Sequence, residues 1–149
     1  MSTHRVRTLL RPLAALCLAF AAQAACAGGN SYNITSNGTG SWRFDGVDNP
    51  AITVIRGQTY TFQLQNVNAV HPFNINTVNT TGNGSRYNSG VTNNGATGNT
   101  AITFVVPMDA PVQLHYNCGN HAAMNGNIDV VDDPDPIFAD GFEAAAARR

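Results

Sequence analysis

The sequence predicts an all-β fold, a sandwich or small barrel closed over one hydrophobic core. Three observations lead there. Apolar residues alternate along the chain instead of recurring every three or four positions, as they would on a helix face. Gly, Asn, Thr and Pro interrupt the chain throughout, which is turn chemistry between short strands. No stretch carries the long amphipathic period of a helix.

Taken in order, the first strand is expected around residues 32–35 and the second around Trp42 and Phe44. Ile52 and Val54 mark a third. In residues 59–65, Tyr60, Phe62 and Leu64 share one face while Thr59, Thr61, Gln63 and Gln65 share the other. Phe73 and Ile75 form a shorter example. Residues 79–100 are dominated by Asn, Gly, Thr and Ser and read as a long connection with a short hairpin around residues 87–91. Ile102, Phe104 and Val106 alternate again before Pro107. Residues 112–118 follow, and Ile128 with Val130 closes the series. Strands of this length joined by turn-rich loops suit a two-layer sandwich or a barrel.

The ends of the chain differ from this pattern. Arg5, Arg7 and Arg11 precede an apolar stretch over residues 13–22, followed by small residues at Ala22-Gln23-Ala24 and Ala25-Cys26-Ala27. This is the layout of a cleaved secretory signal over residues 1–27, and its apolar run is short for a bilayer span. Cleavage after Ala27 leaves 122 residues, enough for one domain, placed at 28–131. Cleavage after Ala24 is the alternative. Residues 132–149 begin Asp132-Asp133-Pro134-Asp135-Pro136 and are expected to be an acidic, disordered tail. A periplasmic or secreted location follows from the signal.

Removing the signal also removes Cys17 and Cys26, so Cys118 becomes the sole thiol and an internal disulfide is excluded. The remaining chain has five arginines, no lysine and nine acids, a net charge of −4. With no basic patch, nucleic-acid binding has no electrostatic footing. Nothing resembles a hydrolytic triad, a phosphate loop or paired catalytic carboxylates, and the chain is not expected to be an enzyme.

The chemistry sits in the run Tyr116-Asn117-Cys118-Gly119-Asn120-His121-Ala122-Ala123-Met124, which offers a thiolate, an imidazole and a thioether at three-residue intervals. Parity tests which neighbours join them. In residues 112–118, Val112, Leu114, Tyr116 and Cys118 are expected to face the core, and Gln113, His115 and Asn117 to face solvent. His115 is thereby excluded as a ligand. His71 shares parity with Phe73 and Ile75 and faces inward at the start of its strand. Gly119-Asn120 supplies a turn, and the small Ala122 and Ala123 let the loop bring His121 and Met124 back beside Cys118. A soft thiolate, two imidazoles and a weakly held axial thioether form the ligand set of a blue copper electron-transfer centre. Met108, in the turn at 107–111, is expected to pack and not to ligate.

These residues resemble the cupredoxin family. Tyr116-x-Cys118-x-x-His121-x-x-Met124-x-Gly126-x-Ile128 is similar to its C-terminal copper loop, with the short spacing of amicyanin-like members, and His71-Pro72-Phe73 is similar to its first histidine. The resemblance covers residues 32–131. It implies a Greek-key β-sandwich or barrel, one copper ion cycling between Cu(II) and Cu(I) on His71, Cys118, His121 and Met124, and single-electron transfer to transient redox protein partners. A monomer is expected. A copper-binding or copper-delivery protein without a relay role would carry the same motif.

Two departures from the family pattern matter. Plastocyanin-like and azurin-like members follow the first ligand with Asn, whose backbone N–H donates to the cysteine sulfur, whereas Pro72 has no N–H to give. Multicopper oxidases carry a second histidine two residues after the first and a His-Cys-His triplet. Here Phe73-Asn74 and Asn117-Cys118-Gly119 stand in those places, so a trinuclear centre has no ligands.

Overall fold

A computed structural model of the chain describes residues 30–134. The expected signal segment, with Cys17 and Cys26, and most of the expected acidic tail lie outside the described residues. Among those described there is no helix, and none is long and apolar enough to cross a membrane.

The described residues form ten strands in two sheets. They are β1 (Ser31–Asn37), β2 (Ser41–Phe44), β3 (Val47–Asp48), β4 (Ile52–Ile55), β5 (Thr59–Leu64), β6 (Phe73–Asn76), β7 (Val91–Thr92), β8 (Ala101–Val105), β9 (Gln113–Cys118) and β10 (Asn125–Val131). The first sheet runs β3-β2-β1-β5-β8-β7 and the second β4-β10-β9-β6. The chain changes sheet at β3–β4, β4–β5, β5–β6, β6–β7 and β8–β9, so each layer is stitched to the other along its length. Two pairings are parallel, β1 with β5 and β4 with β10.

The alternation that predicted the strands is the alternation that fills the core. Tyr60, Phe62 and Leu64 of β5 and Ile102 and Phe104 of β8, with Val106 beyond it, are all buried. Ile52 and Val54 of β4, Leu114 and Tyr116 of β9, and Ile128 and Val130 of β10 come from the other layer. Aromatic rings join the layers: Phe44 and Tyr116 have centroids 4.5 Å apart, Phe62 and Phe73 5.8 Å, and Trp42 and Phe73 5.0 Å. Offset and edge-on ring pairs of this kind add to the free energy of burial itself.

Four expectations need correction. Asn117, expected to face solvent, is buried on the outer side of β9, hydrogen-bonded to Asn76 and Asn79. Val112 is 74% exposed, because β9 begins at Gln113 and Val112 belongs to the loop that precedes it, where only its carbonyl is engaged, by the Val130 N–H. Met108 is 73% exposed and lies over Gly57 instead of packing inside. No hairpin forms at residues 87–91. Instead, Val91–Thr92 pairs with β8, and the chain on either side folds along the free edge of β6.

That edge explains why the long connection is ordered. β6 ends the second sheet, so its outward N–H and C=O groups need partners. The N–H of Phe73 donates to Ala96 O at 3.0 Å, that of Gly95 to Phe73 O at 2.8 Å, and that of Tyr87 to Ile75 O at 2.9 Å. The Asn94 side chain does the rest, accepting from the Ile75 N–H at 2.8 Å and donating to Ile75 O at 3.0 Å. Residues rich in Asn thus replace a missing strand.

Candidate metal centre

Cys118 ends β9, and its parity with Leu114 and Tyr116 points its side chain into the core, where it is fully buried. It is the one cysteine among the described residues and is unpaired. His71 directly precedes Pro72 and β6. Because Phe73 pairs with Cys118 across the β6–β9 ladder, His71 arrives beside the thiol. His121 comes from the loop between β9 and β10, which doubles back so that the Cys118 N–H donates to Met124 O at 2.9 Å. The same turn is closed by the Met124 N–H on His121 O at 3.2 Å, and the Met124 side chain is fully buried.

The result is a convergence of three donors. Cys118 Sγ lies 3.7 Å from His71 Nδ1 and 3.5 Å from His121 Nδ1, and the two imidazole rings are 4.6 Å apart. All three ligand atoms fall within 4.8 Å of one another. With metal–sulfur and metal–nitrogen bonds of about 2.3 and 2.0–2.1 Å, a single ion in near-trigonal geometry places sulfur and nitrogen about 3.5–3.8 Å apart. The observed spacings meet that requirement. A thiol has one hydrogen and can donate to one nitrogen alone, whereas one cation uses the lone pairs of all three atoms together. The donor set therefore fits a soft transition-metal ion, and together with Met124, buried in the same loop, the four residues form a type 1 copper-like site.

Local electrostatics agree. Burial holds the His71 imidazole below its ordinary pKa, and the neighbouring His121 adds to this, so His71 is kept in the neutral form that can act as a donor. Trp42 closes the site from the first sheet, its ring edge-on to His71 at 6.3 Å. On the other side Tyr116 donates its hydroxyl to Pro50 O at 2.6 Å, and burial raises its pKa far above the ordinary phenol. The Tyr116 ring lies across Gly126 of β10, where any Cβ would collide with the phenol. That is the physical reason for a glycine two residues after Met124.

The sulfur has a backbone donor, from Asn120 and not from the residue after His71. The Asn120 N–H points at Cys118 Sγ at 3.4 Å, from within the ligand loop, while Pro72 faces Gly119, whose N–H donates to Pro72 O at 2.9 Å. Asn120 also clasps the two ligand-bearing loops, its Nδ2 donating to Val70 O at 2.8 Å. Its part was not read from sequence, since an Asn after Gly signals only a turn. His115 lies away from this cluster on the outer face of the sheet, its Nδ1 3.1 Å from Asn127 Oδ1.

The chain is thus an all-β sandwich with a His-Cys-His-Met cluster at the end of β9, buried except at His121. Its structural neighbours are cupredoxins. Reduced auracyanin from the photosynthetic bacterium Roseiflexus castenholzii is 20% identical, the match covering 70% of this chain and 98% of that one with a TM-score of 0.46. Rusticyanin from Thiobacillus ferrooxidans is 24% identical over 70% of this chain and 79% of its own, with a TM-score of 0.45. A multicopper oxidase from Campylobacter jejuni is 12% identical, with a TM-score of 0.43, and there the match spans 72% of this chain and 27% of the oxidase. No family model and no curated protein matches the chain.

Proposed function

We propose that the chain is an exported mononuclear type 1 copper protein that passes single electrons between redox partners, with His71, Cys118, His121 and Met124 as the ligands. The observation that carries this reading is the approach of two imidazole Nδ1 atoms to one buried sulfur at 3.7 and 3.5 Å, delivered by two separate segments of chain. When bound there, copper supplies a reversible one-electron couple. Cys118 and His71 are buried, whereas His121 is half-buried in the loop, so its ring is the ligand that reaches the surface and the route by which an electron enters or leaves. The protein's part is to hold the donors still. The loop hydrogen bonds on Cys118, His121 and Met124 are made within the chain and ask for no rearrangement between oxidation states.

Partner contact would fall on the surface around His121, where Val70, Ala122 and Ala123 are exposed and Pro72 is half-buried. Residues 66–72, 77–85 and 119–125 contain no Asp, Glu, Lys or Arg, so docking there rests on contact and not on charge steering. A small uncharged contact suits a carrier that must leave as readily as it arrives. Four protein donors leave no open coordination position for a substrate, which supports a carrier over an enzyme. The secretory layout of residues 1–27 supports a periplasmic or secreted location.

Titration of the purified protein with Cu(II) tests the reading. One equivalent should produce intense visible absorption from sulfur-to-metal charge transfer, and Cys118→Ser should abolish it. A colourless complex, or no uptake, overturns the proposal. A coloured protein that surrenders its copper to an acceptor faster than it cycles electrons would instead mark a copper-delivery protein.

A further inference from the structure

Four asparagines on the outer side of the second sheet form one continuous line. Asn76 Nδ2 donates to Asn117 Oδ1 at 3.1 Å, and Asn117 Nδ2 donates to Asn79 Oδ1 at 2.6 Å. Asn79 Nδ2 donates to Asn125 Oδ1 at 3.0 Å, and Asn125 Nδ2 ends the line on the carbonyl of Ala122 at 2.7 Å. The members come from β6, the connection after it, β9 and β10.

The direction of the line is fixed from both ends. A backbone carbonyl only accepts, so Asn125 must turn its NH2 to Ala122 and its oxygen to Asn79, and the same demand passes to Asn79 and then to Asn117. At the other end, Thr80 O accepts from Asn76 Nδ2 at 3.0 Å and imposes the same polarity. With both amide hydrogens of Asn76 committed, its Oδ1 is buried with no partner among the described residues. A buried acceptor without a donor is unfavourable, and its retention needs a reason.

The reason lies where the line ends. Ala122 sits between His121 and Met124, and the carbonyls around it are also engaged: Ala123 O by Asn49 Nδ2 at 2.9 Å and Gly119 O by the Gly82 N–H at 2.7 Å. We propose that the amide line is a positioning device for the ligand loop, in which Asn117, Asn79 and Asn125 fix the Ala122 carbonyl and so keep His121 and Met124 in place whether or not a metal is bound. Amides aligned head to tail polarise one another, so a break at one member weakens its neighbours. The purpose assigned to the device rests on the copper reading, but its existence does not.

Site-resolved hydrogen exchange on the full, metal-free chain tests it. Asn79 is exposed, so Asn79→Asp preserves size and burial, still accepts from Asn117, and has no hydrogen for Asn125. Protection of the Cys118 and Met124 amides should fall about tenfold, the loss of roughly one hydrogen bond, while the amides of Phe62 and Phe104 in the first sheet stay unchanged. Asn125→Ser should do the same, and the double variant should lose no more than the larger single loss. After Cu(II) loading, the visible band should shift in Asn79→Asp and stay in place in Asn83→Asp. Unchanged protection, strictly additive losses, or an equal effect in Asn83→Asp would overturn the proposal. Lost protection in a chain that takes up no copper would uphold the positioning device and remove the copper reading.

Discussion

The two faces of β9 are built on opposite rules. The inner face presents Leu114, Tyr116 and Cys118 to an apolar core, where position is set by shape and by exclusion of water. The outer face presents Gln113, His115 and Asn117, and although it begins exposed it ends buried, with Asn117 only 2% accessible beneath the connection that follows β6. There, position is set by paired amides. Apolar burial is non-directional and tolerates adjustment, whereas a buried amide must find each partner at the correct angle. The His-Cys-His cluster at the end of this strand therefore has a soft wall on one side and a directional one on the other.

Truncating the inner face should cost most. Phe73 pairs with Cys118 across the ladder and stacks on Tyr116 at 5.8 Å with planes 9° apart, so Phe73→Ala opens a cavity directly behind the ligands. A loss of about 3–5 kcal/mol is expected for such a change. Urea unfolding of the metal-free protein measures it, and a loss below 1 kcal/mol would mean that the inner face is not a packed wall. On the outer face, Asn117→Ala deletes one donor and one acceptor from the line of amides and leaves the Asn79 oxygen without its 2.6 Å donor. The expected loss is about 1–3 kcal/mol by the same measurement. Equal losses at the two positions would erase the distinction between the faces.

This difference also decides what could be read from sequence. Alternation fixes one face of a strand, so Tyr60, Phe62 and Leu64, or Cys118 against His115, are legible with no knowledge of what the chain folds against. The meeting of His71 with Cys118 follows, because inward parity puts both side chains on the core side. The outer face is legible only if it meets water. Asn117 reads as solvent-facing, yet it is buried, as are Asn74 and Asn76 of β6, because residues 79–96 return over and beside β6. An Asn-rich segment gives the same composition whether it is a mobile loop or a row of hydrogen-bonding side chains. Its 2.8–3.0 Å contacts depend on tertiary placement that no local pattern encodes. The clasp that the Asn120 side chain makes on Val70, 50 residues away, is hidden from sequence for the same reason.

His115 gives the smallest expected effect and the sharpest check on the division between faces. It stands between Tyr116 and Leu114 in sequence, three residues from the thiol, and by residue type it is as good a metal donor as His71 or His121. Parity sends it to the outer surface, and there its Nδ1 meets Asn127 Oδ1 at 3.1 Å, in register across the β9–β10 ladder. It takes no part in the line of amides, which runs through Asn117 instead. His115→Ala is therefore expected to change stability by no more than about 0.5 kcal/mol, the range for a surface substitution away from caps and buried partners. It should also leave the Cu(II) absorption band in place, whereas His121→Ala should remove or displace it. A band that moves with His115→Ala would show that the outer face reaches the metal directly, and the assignment of ligands by parity would then fail.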